Sequence, residues 1–228
     1  MKRLLIITYF LCYACIVQAQ NYSTYIQKIL NKIESSEGLH IKSKVYVYDN
    51  PDTKKLLKSF NAELLKSGNV FRNHIDDAEV ISNEQFIYTI DHTERIIYVQ
   101  RQVKLSRKDK KLIEEFNELN KVDSLKSQVF SKNSDQITFL VYPHGEIQRA
   151  FVTIDIKLLK FIRVEYYYDE ERYPSGNYVV IDYEDFNSNF SVKEELLEGK
   201  DILKKSGNKF ETTQKYSDYK VVNYYKEQ

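Results

Sequence analysis

The chain contains no tryptophan, a single methionine, three prolines and six glycines among its 228 residues, and only two cysteines. Each shortage excludes something. Both cysteines, Cys12 and Cys15, lie in the first apolar run, so removal of that run leaves neither disulfides nor thiolate chemistry. The scattered glycines form no phosphate-cradling loop and no Gly-x-Ser-x-Gly elbow, and paired His or Cys at zinc-finger spacing is absent. No Pro/Gly/Ser-rich stretch separates two domains. Charge of either sign is never concentrated: 34 basic residues face 33 acidic ones, a mixture that gives no electrostatic reason to expect nucleic acid.

What is present begins with an export pattern. Met1-Lys2-Arg3 precedes an apolar run from Leu4 to Val17, and Gln18-Ala19-Gln20 restores polarity. The charged start, the apolar run and the small residue at Ala19 are those of a secretory signal, so residues 1–19 are expected to be cleaved and the mature chain to start at Gln20 in the periplasm. Attachment of lipid at Cys15 is the alternative; Tyr13 and Cys12 match that motif poorly.

Tyr22, Ile26, Ile29, Leu30 and Ile33 recur at helical spacing and predict an amphipathic helix, ended by Ser35-Ser36-Glu37-Gly38. The period then changes to two. Leu39, Ile41, Val45 and Val47 share one parity of a half-buried strand. Turn residues at Asn50-Pro51-Asp52 and Lys66-Ser67-Gly68-Asn69 bracket the strand carrying Phe60, Ala62 and Leu64, and Phe71 and Ile75 continue on its return. A hairpin from Phe86 to Ile90 and Arg95 to Arg101 follows, joined by Asp91-His92-Thr93-Glu94. Leu112, Phe116, Leu119, Val122 and Val129, with Ser106 and Asp109 as a capping box, predict one long helix before strands resume at Gln136. Parity puts Phe60, Phe71, Phe86 and Phe139 inside. Tyr142-Pro143-His144-Gly145 and Tyr173-Pro174-Ser175-Gly176 read as two turns of one chemistry. Residues 191–228 form an extension with no assignment.

Candidate chemistry is sparse. His74, Asp76, Asp77, Asp91, His92 and Glu94 have the right side chains for metal or acid/base work, but a solvated hairpin turn calls for the same residues, and the turn is the preferred reading. Asp169, Glu170 and Glu171 are adjacent, as in a charged turn, rather than set across a cleft as a glycosidase needs. Lys215, Tyr216, Tyr219, Lys220, Tyr224, Tyr225 and Lys226 interleave rings and cations, which in an exported chain of balanced charge reads as a tyrosine-rich strand. No enzyme, metal or cofactor is expected.

The order of elements resembles the outer-membrane lipoprotein carrier (LolA-like) family. The resemblance is carried by the Tyr22 to Ile33 helix, the Leu39 to Arg101 meander with Glu79-Val80-Ile81-Ser82-Asn83 leading into Phe86-Ile87-Tyr88-Thr89-Ile90-Asp91, the Ser106 to Val129 helix, and the strands ending Val179-Val180-Ile181-Asp182-Tyr183. It implies an α+β, mostly antiparallel β fold in which residues 20–228 form a single domain. That domain would be a curled incomplete barrel, a half-barrel, covered on its concave face by amphipathic helices. It also implies a non-enzymatic periplasmic carrier or sensor for the acyl chains of lipids or lipoproteins. The expected lining is Val45, Val47, Phe60, Phe86, Ile90, Phe139 and Val141 from the strands, closed over by Leu112, Phe116 and Leu119. The alternative is an adaptor subunit of an envelope or secretion assembly, with a packed interior and a protein partner.

Overall fold

The computed structural model describes residues 22–102, 126–143, 145–206 and 209–224. Helix α1 spans residues 22–35. The strands that follow are β1 (Gly38–Tyr48), β2 (Leu56–Ser67), β3 (Val70–Ile75), β4 (Ala78–Ser82), β5 (Phe86–Asp91), β6 (Ile96–Arg101), β7 (Lys126–Lys132), β8 (Gln136–Tyr142), β9 (Ile147–Asp155), β10 (Lys160–Tyr168) and β11 (Tyr178–Asn187). A one-turn helix α2 (Glu194–Leu197), a hairpin of β12 (Leu203–Ser206) with β13 (Lys209–Thr212), and β14 (Lys220–Asn223) complete the described chain. All but the β12–β13 hairpin are hydrogen-bonded in the order β14-β6-β5-β4-β3-β2-β1-β11-β10-β9-β8-β7. The order is open, since β14 and β7 are not neighbours, so the mostly antiparallel sheet is not a closed barrel.

The chain divides into two compact units, each discontinuous in sequence. The first draws on Met1–Glu34, Val45–Ser59 and Leu105–Tyr183, the second on Ser35–Lys44, Phe60–Lys104 and Glu184–Gln228. In the first, α1 lays Tyr22, Ile26 and Ile29 against Ile137, Phe139 and Val141 of β8, Val152 and Ile154 of β9, and Val164 of β10. Those helical residues fall at i, i+4 and i+7, so one stripe meets the face formed by alternate strand residues. The Tyr22 and Phe139 rings meet edge to face at 5.2 Å, and Lys32 Nζ donates to the Leu158 carbonyl at 2.7 Å. The helix predicted from spacing is therefore present. The second one is not described over its length: Leu112, Phe116 and Leu119 lie outside the described residues. Its expected far end is corrected, because Val129 sits in β7, opposite Phe139 of β8.

Burial, with the Tyr166 phenol nearby, pushes the Tyr22 and Tyr183 phenols each up to about 12. Unfolded tyrosines ionise near pH ~10. The unfolded chain therefore sheds these protons first as pH rises, and the stability tied to them is complete below pH ~10 and lost as pH climbs through ~12. Urea midpoints are expected to hold steady to pH ~10 and then fall, with phenolate absorbance at these rings delayed in the folded chain toward pH ~12.

In the second unit, Ile81 of β4, Phe86, Tyr88 and Ile90 of β5, and Ile97 and Val99 of β6 form a buried face. Ile202, Leu203 and Tyr216 from the C-terminal segment cover it, so residues after 191 are part of this unit's core. The pleat of β3 runs opposite to the expected one. His74 pairs with Glu79 and Arg72 with Ile81, which puts Arg72 and His74 on the covered face and Phe71 and Ile75 on the other. Phe71 is 36% exposed and Ile75 43%, which corrects the inward placement of Phe71. Phe86 and Phe139 are buried as expected, and Phe60 is half-buried.

Candidate functional site

The second unit holds a groove of about 1020 Å³. Its floor is apolar: Phe86 and Tyr88 from β5, Leu197 from α2, Leu203 from β12 and Phe210 from β13. Alternation fixes this, since Phe86 and Tyr88 share the parity of Ile90 and the β12–β13 hairpin brings Leu203 and Phe210 over them. The Phe86 and Phe210 rings meet edge to face at 5.2 Å. Lys200, Lys204 and Lys205 stand along the wall; Lys205 Nζ lies 5.2 Å from the Phe86 ring centre, and Lys200 pairs with Glu198. Gly199 turns the chain here with φ +70, and a Cβ at that place would stand 3.2 Å from the Tyr88 ring. The wall is of mixed charge, since Glu84 and Glu198 line the groove beside the lysines.

The expected lining residues do not gather in one cluster. Phe86 lines the groove and Ile90 is buried beside it in the second unit. Phe60 shares parity with Ala62, which stands opposite Ile75, so it faces away from Phe86 and Ile90. Phe139 and Val141 belong to the core under α1 in the first unit, where Val45 is buried and Val47 half-buried.

A second feature of the same unit was not foreseen. The Glu79 carboxylate is 3% exposed on the apolar face, bonded to Arg72, whose Nη1 also donates to Asp201 at 2.8 Å and to the Leu196 carbonyl at 3.1 Å. Burial alone would lower the guanidinium pKa, but the bonds to Glu79 and Asp201 and their charges outweigh it and raise the pKa. The signal was legible: Glu79 has the parity of Ile81, a charge placed where the pattern asks for an apolar residue. His74 and His92 approach the same carboxylate, and one ligand atom from each of the three lies within 4.8 Å of the others.

No protein-family model and no curated protein matches the sequence. Among solved structures, the chain is similar to a putative outer membrane lipoprotein-sorting protein domain from Vibrio parahaemolyticus at 8% identity, over 80% of this chain and 98% of that one, with a TM-score of 0.38. It is similar to one chain of the MucA/MucB complex of Pseudomonas aeruginosa at 9% identity, over 85% and 63% of the two chains, with a TM-score of 0.46. A LolA superfamily protein from Nitrosomonas europaea also matches, at 10% identity over 75% and 96%, with a TM-score of 0.31.

Proposed function

We propose that the protein is a non-enzymatic periplasmic carrier or sensor that holds the acyl chain of a lipid or lipoprotein in the groove of the second unit, with the sheet acting as a curled half-barrel. The observation that carries the reading is the groove itself, whose floor of Phe86, Tyr88, Leu203 and Phe210 is apolar and whose wall presents Lys200, Lys204 and Lys205. Each buried methylene contributes about 0.8 kcal/mol, so eight carbons along the floor offer roughly 6 kcal/mol before ordering costs. The lysines give an acid head group a place to sit, and the signal pattern of residues 1–19 supports the periplasm as the place of action. Among the described residues no helix is long and apolar enough to cross a membrane.

Purified protein is expected to bind a fluorescent long-chain fatty acid with an affinity on the order of tens of micromolar or better. Lys204→Glu with Lys205→Glu should weaken that binding at least about tenfold by placing like charge beside the head group. Phe86→Asp should abolish it, with circular dichroism confirming that the variant is folded. A folded wild type that ignores acyl probes at these concentrations ends the carrier reading. The adaptor reading would then stand, favoured by the first unit, where Ile29, Phe139 and Ile154 are fully buried and the core beneath α1 is simply packed.

A further inference from the structure

We propose that His74, Glu79 and His92 form a binding site for a divalent transition-metal ion of the zinc type in the second unit. The inference does not rest on the carrier reading, and the site is built by strand register. His74 of β3 stands directly opposite Glu79 of β4. Glu79 in turn stands opposite Ile90 of β5, and His92 follows two residues later, its amide held by the Asp77 carbonyl at 2.9 Å. Residues opposite one another share a face of the sheet, as do residues two apart, so the three side chains converge.

Each imidazole is already anchored through one nitrogen. His74 Nε2 lies 2.8 Å from the Asp76 carbonyl, which can only accept, so Nε2 carries the proton and Nδ1 keeps its lone pair. His92 Nδ1 lies 2.9 Å from the Tyr219 hydroxyl. Its Nε2 is buried, has no hydrogen-bond partner among the described residues, and lies 3.6 Å from Glu79 Oε2. That separation is too long for a hydrogen bond. It is close to the edge of a zinc tetrahedron, about 3.4 Å for bonds of about 2.0–2.2 Å. The rings stack with centroids 5.7 Å apart, and His74 is the exposed member of the three. Outer-shell partners on the non-ligating nitrogens are what metal-bound histidines have.

Charge permits the cation. Arg72 occupies Glu79 Oε1, leaving Oε2 toward the histidines, and its positive charge is shared with Asp201. Arg72, Glu79 and Asp201 together therefore carry one net negative charge. Two imidazoles and one carboxylate select a borderline ion over calcium or magnesium, which take oxygen ligands. Three protein ligands leave a fourth position for water or a group from a partner.

Zinc chloride titrated calorimetrically into the metal-stripped full chain near neutral pH is expected to bind at one ion per chain with micromolar affinity, and to raise the melting temperature. His74→Gln and His92→Gln should each weaken binding at least about tenfold, and Tyr219→Phe by about tenfold through the lost partner of Nδ1. His40→Gln, which alters a histidine paired with Glu63 instead, should leave it unchanged. No binding below about 100 µM would overturn the site. So would affinity undiminished in both histidine variants, which marks an adventitious ion only. Should either variant fail to fold, X-ray absorption on the zinc-loaded wild type decides: a shell with two imidazoles and oxygen supports the site, and a shell with fewer than two imidazoles overturns it.

Discussion

Arg72→Ala is expected to reduce the free energy of unfolding by about 3–5 kcal/mol, the cost of leaving a buried carboxylate without its cation. Glu79 is 3% exposed, and Ile81, Tyr88 and Ile90 share its face with Arg72 and His74, so water has little room to replace the guanidinium. Arg72 itself keeps 13% of its side-chain surface, which favours the lower end of that range. The companion experiment is Arg72→Met with Glu79→Leu. Asp201, at 27% exposure, can then turn to solvent, and most of the lost stability should return because an apolar pair needs no compensation. Urea unfolding reads both. A loss below about 1 kcal/mol for Arg72→Ala would show that the network contributes no more than a surface ion pair does.

Phe139→Ala should be comparably severe in the first unit, at about 3–5 kcal/mol. The ring has no exposed surface and lies against Tyr22 at 5.2 Å and Tyr25 at 6.1 Å, so its removal opens a cavity where α1 meets β8. Hydrogen exchange along residues 22–35 should accelerate more than exchange in β5 and β6, since the helix docks through this ring. Phe71→Ala offers the contrast: on the outward face of β3 it should cost no more than about 1 kcal/mol. Equal losses for the two phenylalanines would contradict the pleat of β3.

That contrast also shows how far the sequence could be read. The helix at residues 22–35 and the β5–β6 hairpin are visible because their apolar residues keep one period without interruption and a turn of Asp91 to Glu94 follows at the right place. On β3, apolar Phe71 and Ile75 share one parity with Asn73 and polar Arg72 and His74 share the other, yet the strand faces the other way. Alternation gives two faces but not which is inside. The polar face is drawn inward by Glu79 and Asp201, partners that lie on β4 and far along the chain. A slip of one residue in reading inverts every assignment on the strand. The site residues were legible as types only. His74 and His92 attract notice together, and Glu79 stands out by its parity with Ile81, but only the strand register sets it between them. The groove was less visible still, because half of its floor comes from residues 197–210, which carry no clear period of their own.

Because β14 lies parallel on β6, with Lys220 opposite Ile96 and Asn223 opposite Val99, the described sheet cannot be finished until residues 220–223 have been made. The edge of β6 is complete at Arg101, but the strand that protects it does not begin until Lys220. Through all the intervening synthesis that edge displays unpaired amides and carbonyls to any extended peptide nearby. A chain of this design is safest when held unstructured until its last strand is available.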